Sequence, residues 1–424
     1  MAEGATEESN TSQLAEKKAS VDEPEQTQES DPPLFKCVVL GAYGGSKQVK
    51  VERREVRKSA RQEIEVTVEA CGVNFLDVMM RQGLLDQAIK PPFIMGSECA
   101  GIVTAVGEGV TNYKIGDKVV VLSDAGAWTE KLIVPSGSPE ETQTDESKPA
   151  VEPSQTLTLP WPDTLSASQA AVLGFAYIPA YLLIHRLASI RRGDVVLVHS
   201  AGGGVGTAIG QLAKCTSEVT LIGIASKEKH EKLTSLYNHL FTPEQEYMSE
   251  IKKLYPQGID VVLDCLSGEE MSKSYGILKP LGRYILYGMS NLVTGDRKNF
   301  FSLAKHWLQS DRINPLRLYD ENHVIGGFCL KSMLFPHTSP GSVVRATAEA
   351  ATIVQEVWSE LCKLIDSKTI DPWIDSEWSF DETKEAMMRL QERKNIGKVV
   401  LLPKALPRKP EQATVNQQTG DLNN

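Results

Sequence analysis

The 424-residue chain has no histidine before position 185, no C-x-x-C pair, no broad excess of basic residues and no apolar run of bilayer length. Each absence removes a class of protein. The seven cysteines (37, 71, 99, 215, 265, 329 and 362) are odd in number and scattered, so neither a disulfide framework nor a zinc-ribbon or thioredoxin spacing is present. The formal charge of −10 sits mainly in two stretches: residues 1–33 carry nine acids against two lysines, and residues 136–155 carry five against one. The remainder is close to neutral and lacks the basic field that a phosphate backbone requires, which excludes nucleic acid as the main partner. The N-terminus has no apolar signal core, and its acidity argues against a mitochondrial presequence, so a cytoplasmic location is the expectation. Ala170–Ile184 is nearly all apolar but falls short of the ~20 residues a bilayer needs. Pro179 interrupts it and His185-Arg186 closes it, so a buried core helix is expected.

What is present divides the chain. Residues 1–33 contain no aromatic residue and few large aliphatics, the composition of a disordered acidic tail. Ser136–Gln155 has the same character, with three prolines, and reads as a flexible insertion; residues 404–424 read as a second disordered tail. Residues 34–163 are β-rich, with strands expected at Lys36–Leu40, Glu63–Glu69, Gly101–Val106 and Lys118–Leu122 between glycine turns. From 164 to 335 strands alternate with helices. Asp194–His199, Val219–Ile224, Asp260–Asp264 and Arg283–Tyr287 read as buried strands, and Thr207–Lys214 as a helix. Such alternation predicts an α/β fold with a helix-covered parallel sheet. Ala346–Asp366 reads as a long helix and Lys398–Leu402 as a final strand.

The strongest chemical signal is the strand Asp194–His199 followed by Ser200-Ala-Gly-Gly-Gly-Val-Gly206 and a helix. Glycines that open a helix after a strand gather backbone N–H groups and the positive helix end at one point, where a pyrophosphate fits. Gly203 lets the main chain approach the phosphates, and Gly206 lets helix and strand pack closely. Ala201 stands where the usual motif has its first glycine, and a plain tight turn is the competing reading of the cluster. The second strand ends in Gly223-Ile-Ala-Ser226 with no carboxylate at its tip, and Lys227 and Lys229 follow. NAD-binding domains usually carry an acid there, so this tip favours the 2′-phosphate of NADPH, unless the lysines are merely solvated charges.

Gly193-Asp, Leu197, Ala201-Gly-Gly-Gly204, Gly206, Gln211 and Lys214 follow one another at fixed intervals. With Cys71-Gly-Val-Asn-Phe-Leu-Asp77, Arg81-Gln-Gly83, Gly96-Ser-Glu98, Gly107-Glu-Gly109, Gly116-Asp117 and Gly397-Lys-Val-Val400, they make residues 34–403 resemble the quinone oxidoreductase (ζ-crystallin) family of zinc-independent medium-chain dehydrogenases. Tyr287-Gly-Met-Ser-Asn-Leu-Val-Thr-Gly295, Phe300–Trp307 and Ile374-Asp-Ser-Glu-Trp378 are similar to the branch named for a synaptic-vesicle amine transport protein. The resemblance implies a GroES-like β domain (34–163, resumed at 336–403) with an inserted Rossmann doubly wound parallel sheet (164–335), and NADPH in the cleft between them. It also implies cofactor contacts at Ala201, Gly203, Gly204, Val205, Gly206, Ser226, Lys229, Gly288, Phe328 and Arg393, with Lys229 and Arg393 on the 2′-phosphate. A tyrosine that the family adds to that group is Pro243 here. A homodimer, often joined Rossmann edge to Rossmann edge, is a further implication.

Relatives that bind catalytic zinc use a cysteine in G-x-C-x-x-D and a histidine in G-H-E. Here Asn74 and Ser97 occupy those places, and neither is a good zinc donor, so no metal is expected. Without a Lewis acid, reducing a simple ketone makes an alkoxide with a pKa on the order of 15.7. A reduced quinone is phenolate-like, near a pKa of about 10, and needs less help. Asn74 is the candidate catalytic residue, orienting nicotinamide or substrate, or else a structural loop asparagine. Asp77 and Arg81 are expected to brace this loop as a pair, Leu84-Leu85 to form an apolar wall, and Phe175, Tyr177 and Tyr181 to pack in the core or line the cleft. Three functions compete: an NADPH-dependent quinone reductase; a vesicle- or membrane-associated protein holding NADPH with little turnover, with Asn299–Leu308 as an amphipathic helix on lipid or at a domain or dimer interface; and a reductase of conjugated enals or enones.

Overall fold

The computed structural model describes residues 33–85, 89–137, 156–299, 315–336 and 348–404. Apart from boundary residues, the acidic tail, the insertion, the C-terminal end and the amphipathic stretch from Phe300 lie outside these.

The first half builds eight strands: β1 (Leu34–Leu40), β2 (Val49–Glu55), β3 (Glu63–Val73), β4 (Phe93–Ile94), β5 (Glu98–Val106), β6 (Lys118–Ser123), β7 (Lys131–Pro135) and β8 (Thr156–Pro160). Along β3 burial alternates from Ile64 to Val68, as expected of a strand covered on one face, and becomes continuous from Ala70 to Val73. That end runs on beyond the expected Glu69 because it gains a second partner from the far end of the chain. β16 (Lys398–Leu402) pairs antiparallel with it, Val399 opposite Val73 and Leu401 opposite Cys71, and β15 (Ile374–Ser379) follows outside. The seven-stranded sheet therefore runs β15-β16-β3-β5-β6-β8, with β7 also on β3, and a three-stranded sheet β2-β1-β4 covers one flank.

Between these halves, β9 (Val195–Val198), β10 (Thr220–Ile224), β11 (His239–Phe241), β12 (Ile259–Asp264), β13 (Leu278–Leu286) and β14 (Val324–Gly327) form an all-parallel sheet. Its order, β11-β10-β9-β12-β13-β14, reverses direction at β9 and is that of a Rossmann dinucleotide fold. The runs Val-Val-Leu-Val and Ile-Asp-Val-Val-Leu-Asp are almost wholly buried because helices cover both faces. Each such valine or leucine contributes roughly 1.5–3 kcal/mol on burial.

The apolar stretch from Ala170 is a core helix, Gly174–Tyr181, with Phe175–Ala180 buried. It runs through Pro179 instead of stopping there. The missing proline N–H is accommodated, and the chain then widens into a π-helix over Leu182–Leu187, with Ala188 N–H donating to Leu183 O at 2.7 Å.

Gly96 has φ 98° beside the fully buried Trp128, and a methyl group there would lie 2.2 Å from the indole Cδ1. Gly96→Ala is expected to lower the unfolding free energy by about 2–4 kcal/mol in urea denaturation; unchanged stability would contradict this packing.

Candidate active site

The two sheets meet at a cavity of about 590 Å³, within the range of small-molecule sites. One wall is the turn after β9. Gly203 caps the helix Gly204–Leu212, and Thr207 N–H is bonded to Gly203 O at 2.9 Å, which leaves the helix's preceding N–H groups without intrahelical acceptors. The three glycines do different work. A methyl on Gly206 would lie 2.6 Å from Ser200 O and Ala201 O, so Gly206 is required for helix–strand packing. A methyl on Gly204 would lie 2.5 Å from Lys398 Cδ. A methyl on Gly203 would meet only Ser200 O, at 3.3 Å, and would occupy the cavity instead. The loop is thus a backbone cradle whose bare surface is not explained by packing, and it fits a dinucleotide diphosphate.

The cradle is tied across the cleft. Gly397 N–H donates to Gly202 O at 3.0 Å, and Gly203 bridges Gly397. The Lys229 ammonium donates to the carbonyls of Arg393 and Asn395, and burial lowers its pKa. Arg393, at φ 56°, turns its guanidinium to Asn291 Oδ1 at 3.0 Å.

Next to the cradle lies a buried polar cluster. Lys398 follows Gly397, and the β16–β3 register places it beside Asn74. Its Nζ lies 2.6 Å from Asn74 Oδ1 and 2.7 Å from Glu98 Oε1, while Asn74 Nδ2 donates to the same carboxylate oxygen at 2.9 Å. The other oxygen of Glu98 accepts from Phe175 N–H at 2.8 Å. Glu98 is fully buried in a niche made by glycines: a methyl on Gly72 would lie 2.2 Å from Oε1, and one on Gly174 3.1 Å from Oε2.

Of the residues expected at the site, Asn74, Gly203, Gly204, Val205, Gly206, Ser226, Lys229, Gly288, Phe328 and Arg393 all line this cavity. Ala201 does not; it is fully buried, with its N–H on Ile224 O and its methyl against Gly223, so it serves strand packing. The Asn74 amide is held on both atoms within the wall, so it orients Lys398 and Glu98. Asp77 and Arg81 are not a pair. Asp77 accepts from Asn74 N–H at 2.8 Å, whereas Arg81 reaches Asp296 at 3.2 Å and Gln391 at 2.9 Å. The apolar wall comes from Leu76 and Met79, not from Leu84-Leu85, because Gly83 at φ 66° turns the chain away. Phe175 and Pro179 line the cavity, whereas the Tyr177 hydroxyl is bonded to Gln211 at 3.1 Å in the core. A carboxylate does approach the tip of β10: Glu228 accepts from Ser226 Oγ at 2.6 Å and lines the cavity. It is the acid between the two lysines, and the 3-10 turn Lys227–Lys229 brings it back to the strand tip, a bond the residue order does not show. Sequence reasoning missed Glu98 and Lys398 as partners, since three hundred positions separate them.

The zinc-site positions hold a different chemistry. Ser97 Oγ donates to Asp77 at 3.4 Å, the Asn74 amide is spent on a carboxylate and an ammonium, and Cys71 and Cys99 are fully buried thiols. Burial pushes the Cys99 thiol up to about 12. This donor set does not fit zinc.

Comparison with known proteins agrees with this architecture. Residues 60–138 match the alcohol dehydrogenase GroES-like domain, and residues 244–401 match the zinc-binding dehydrogenase family. The chain is 39% identical over 403 residues to the synaptic vesicle membrane protein VAT-1 homolog-like of Mus musculus, covering 94% of this chain and 89% of that one. It is 38% identical to the VAT-1 homolog of Rattus norvegicus, covering 88% and 85%. The crystal structure of the human VAT-1 homolog-like protein superposes with a TM-score of 0.71 at 35% identity, over 88% of this chain and 99% of that one. Escherichia coli quinone oxidoreductase complexed with NADPH shares the fold, with a TM-score of 0.68 at 22% identity, over 87% and 100%.

Burial pushes the Asp77 carboxyl up from 3.8 to about 7, against the pull of Asn74 N–H and the Lys398 and Lys331 ammoniums. The unfolded chain therefore loses this proton first, and Asp77 costs the folded state increasing stability as pH rises through that window. Asp77→Asn removes the cost, so the variant's unfolding free energy relative to wild type should rise between about pH 4 and 7, by up to about 4 kcal/mol. Urea titrations across that range measure it, and a flat difference would refute the shift.

Proposed function

Since the chain belongs to the quinone oxidoreductase family of medium-chain dehydrogenases/reductases, in the branch of the VAT-1 homologues, we propose that it is an NADPH-dependent reductase of quinones or conjugated carbonyl compounds. The observation that carries this reading is the bare cradle at Gly203, open to a cavity that both halves of the chain line. The N–H groups at the start of the helix Gly204–Leu212 would hold the diphosphate. Ser226 and Arg393 would meet the 2′-phosphate, with Lys229 bracing Arg393 through its carbonyl. Gly288 and Phe328, farther along the cavity, would bound the rest of the dinucleotide.

When bound, NADPH supplies a hydride. The chain's own residues supply the setting: Leu76, Met79 and Phe175 give the cavity apolar lining, and a flat conjugated substrate suits such walls. A complex of the Escherichia coli relative with NADPH supports the choice of cofactor, and the delocalised charge of a reduced quinone or enone suits a pocket built without a Lewis acid. A homodimer belongs to the same proposal, and β14, which pairs on one side only among the described residues, is an edge on which two sheets can join.

The names of the relatives support a second reading, peripheral attachment to vesicles. No helix among the described residues is long and apolar enough to cross a membrane.

Gly203 has extended backbone angles (φ −75°, ψ 174°) that any residue adopts, so Gly203→Val should fold normally while filling the cradle. Calorimetry should then show NADPH affinity falling by at least about 100-fold, since the diphosphate loses several charge-assisted hydrogen bonds. Equal affinity for the two proteins would overturn the reading. Arg393→Ala should weaken NADPH about 10-fold and leave NADH unchanged, the loss expected for one charge-assisted contact. Parallel losses for both cofactors would remove Arg393 from the 2′-phosphate.

A further inference from the structure

We propose that Lys398 is a catalytic residue whose ammonium holds the carbonyl oxygen of the substrate, a role that rests on the reductase reading above. Three lysines with buried side chains line the cavity. Lys229 donates to two carbonyls and follows Ser226, on the side of the cavity proposed for the 2′-phosphate, so its remaining donor faces the cofactor and not the substrate. Lys331 has three neighbours: Asp124 O at 2.8 Å, Asp124 Oδ1 at 2.8 Å and Met80 Sδ at 3.2 Å. Lys398 has two, Asn74 Oδ1 and Glu98 Oε1, and its third N–H has no acceptor among the described residues. An ammonium carries three donors, so one remains for a ligand in the cavity it lines.

The direction of the side chain selects the ligand. Its Cγ and Cδ pass over Gly204, 3.0 and 2.5 Å from where a methyl would stand, so the apolar stem covers the cradle wall. The charged head reaches past the cradle to Asn74, beside Phe75, Leu76 and Met79, at the apolar end of the cavity. A group there meets the substrate and not the diphosphate. Glu98 keeps the pair neutral, and Asn74 fixes its orientation, so the remaining N–H is aimed before any ligand arrives.

The chemistry requires such a donor. A hydride delivered to a carbon conjugated with the carbonyl forms a C–H bond, and the displaced π pair moves onto oxygen, giving an enolate; from a quinone, a proton then passes through water from that carbon to the second oxygen, giving the aromatic phenolate. Lys398 stabilises that oxyanion by its N–H and stays protonated; the proton that completes the product comes from water.

The test uses the full chain and 4-nitrophenolate, which mimics the reduced substrate and reports binding by its absorbance. Its neutral methyl ether, 4-nitroanisole, serves as the control. Wild type is compared with Lys398→Met and with the double variant Glu98→Gln/Lys398→Met, which leaves no buried unpaired charge. Phenolate affinity should fall about 10–100-fold in both variants, as for loss of one charge-assisted hydrogen bond, with ether affinity unchanged and NADPH affinity within about threefold. Equal phenolate affinity in all three proteins would overturn the proposal. So would a loss of NADPH affinity matching the loss of phenolate, which would make Lys398 a phosphate contact. Should neither variant fold, the preference of wild type for phenolate over the ether decides alone, and no preference refutes the role. Absence of NADPH binding by wild type would sink the cofactor reading and leave the phenolate result standing.

Discussion

The contact on which the rest of the molecule turns is the buried pairing of Glu98 with Lys398, oriented by Asn74. It joins the start of β5, the start of β16 and the loop after β3, and through Phe175 N–H it also reaches the helix that leads into the Rossmann half. Removing two charges from water is costly, and mutual attraction repays it only when the geometry is good and the remaining lone pairs are bonded. Both conditions hold here: the two carboxylate oxygens take three donors, and glycines at 72 and 174 open the space the carboxylate occupies. Such a pair adds little net stability. It does fix which strand lies against which, since only the observed β16–β3 register brings residue 398 to residue 98.

That register also completes the dinucleotide cradle. Gly397 reaches it only because β16 is already anchored on β3, and its N–H then meets Gly202 O. Lys229 repeats the arrangement by clasping the turn before β16. Three links therefore cross the cleft within a few residues of the phosphate loop, and the loop's position depends on both halves of the chain. Arg81, Gln82 and Lys298 add a further seam, joining the helix Phe75–Gln82 to the segment around Asp296. Cofactor affinity and the relative placement of the halves are accordingly coupled, as expected when a ligand binds across an interface.

Much of this was legible from residue order. The continuous apolar runs at β9 and β12 and the glycines from 202 to 206 are local signals, because parallel strands buried on both faces and helix-opening turns impose their composition on adjacent residues. Other features were read with the wrong partner. Arg81 looked like the mate of Asp77, four positions away, and goes to Asp296 instead. Glu228 was visible between the two lysines but not as a partner of Ser226, onto which it folds back from a turn. Asn74 read equally as an orienter of nicotinamide or substrate and as a structural asparagine, and its amide is used within the wall. In each case the side chain was identified correctly as polar and placed near the site, and its bond was decided by a segment remote in sequence or by a local turn.

The sequence by itself determined the two folds, the cradle and the replacement of cysteine and histidine by Asn74 and Ser97, since each depends on residue types at fixed short spacings. Only the tertiary structure decided which groups bear charge on the cavity wall and what neutralises them. A lysine after Gly397 and a glutamate after Ser97 are ordinary in a linear reading. They become an aimed pair because antiparallel pairing across the length of the chain sets them 2.7 Å apart, with the carboxylate fully buried behind the ammonium that lines the cavity.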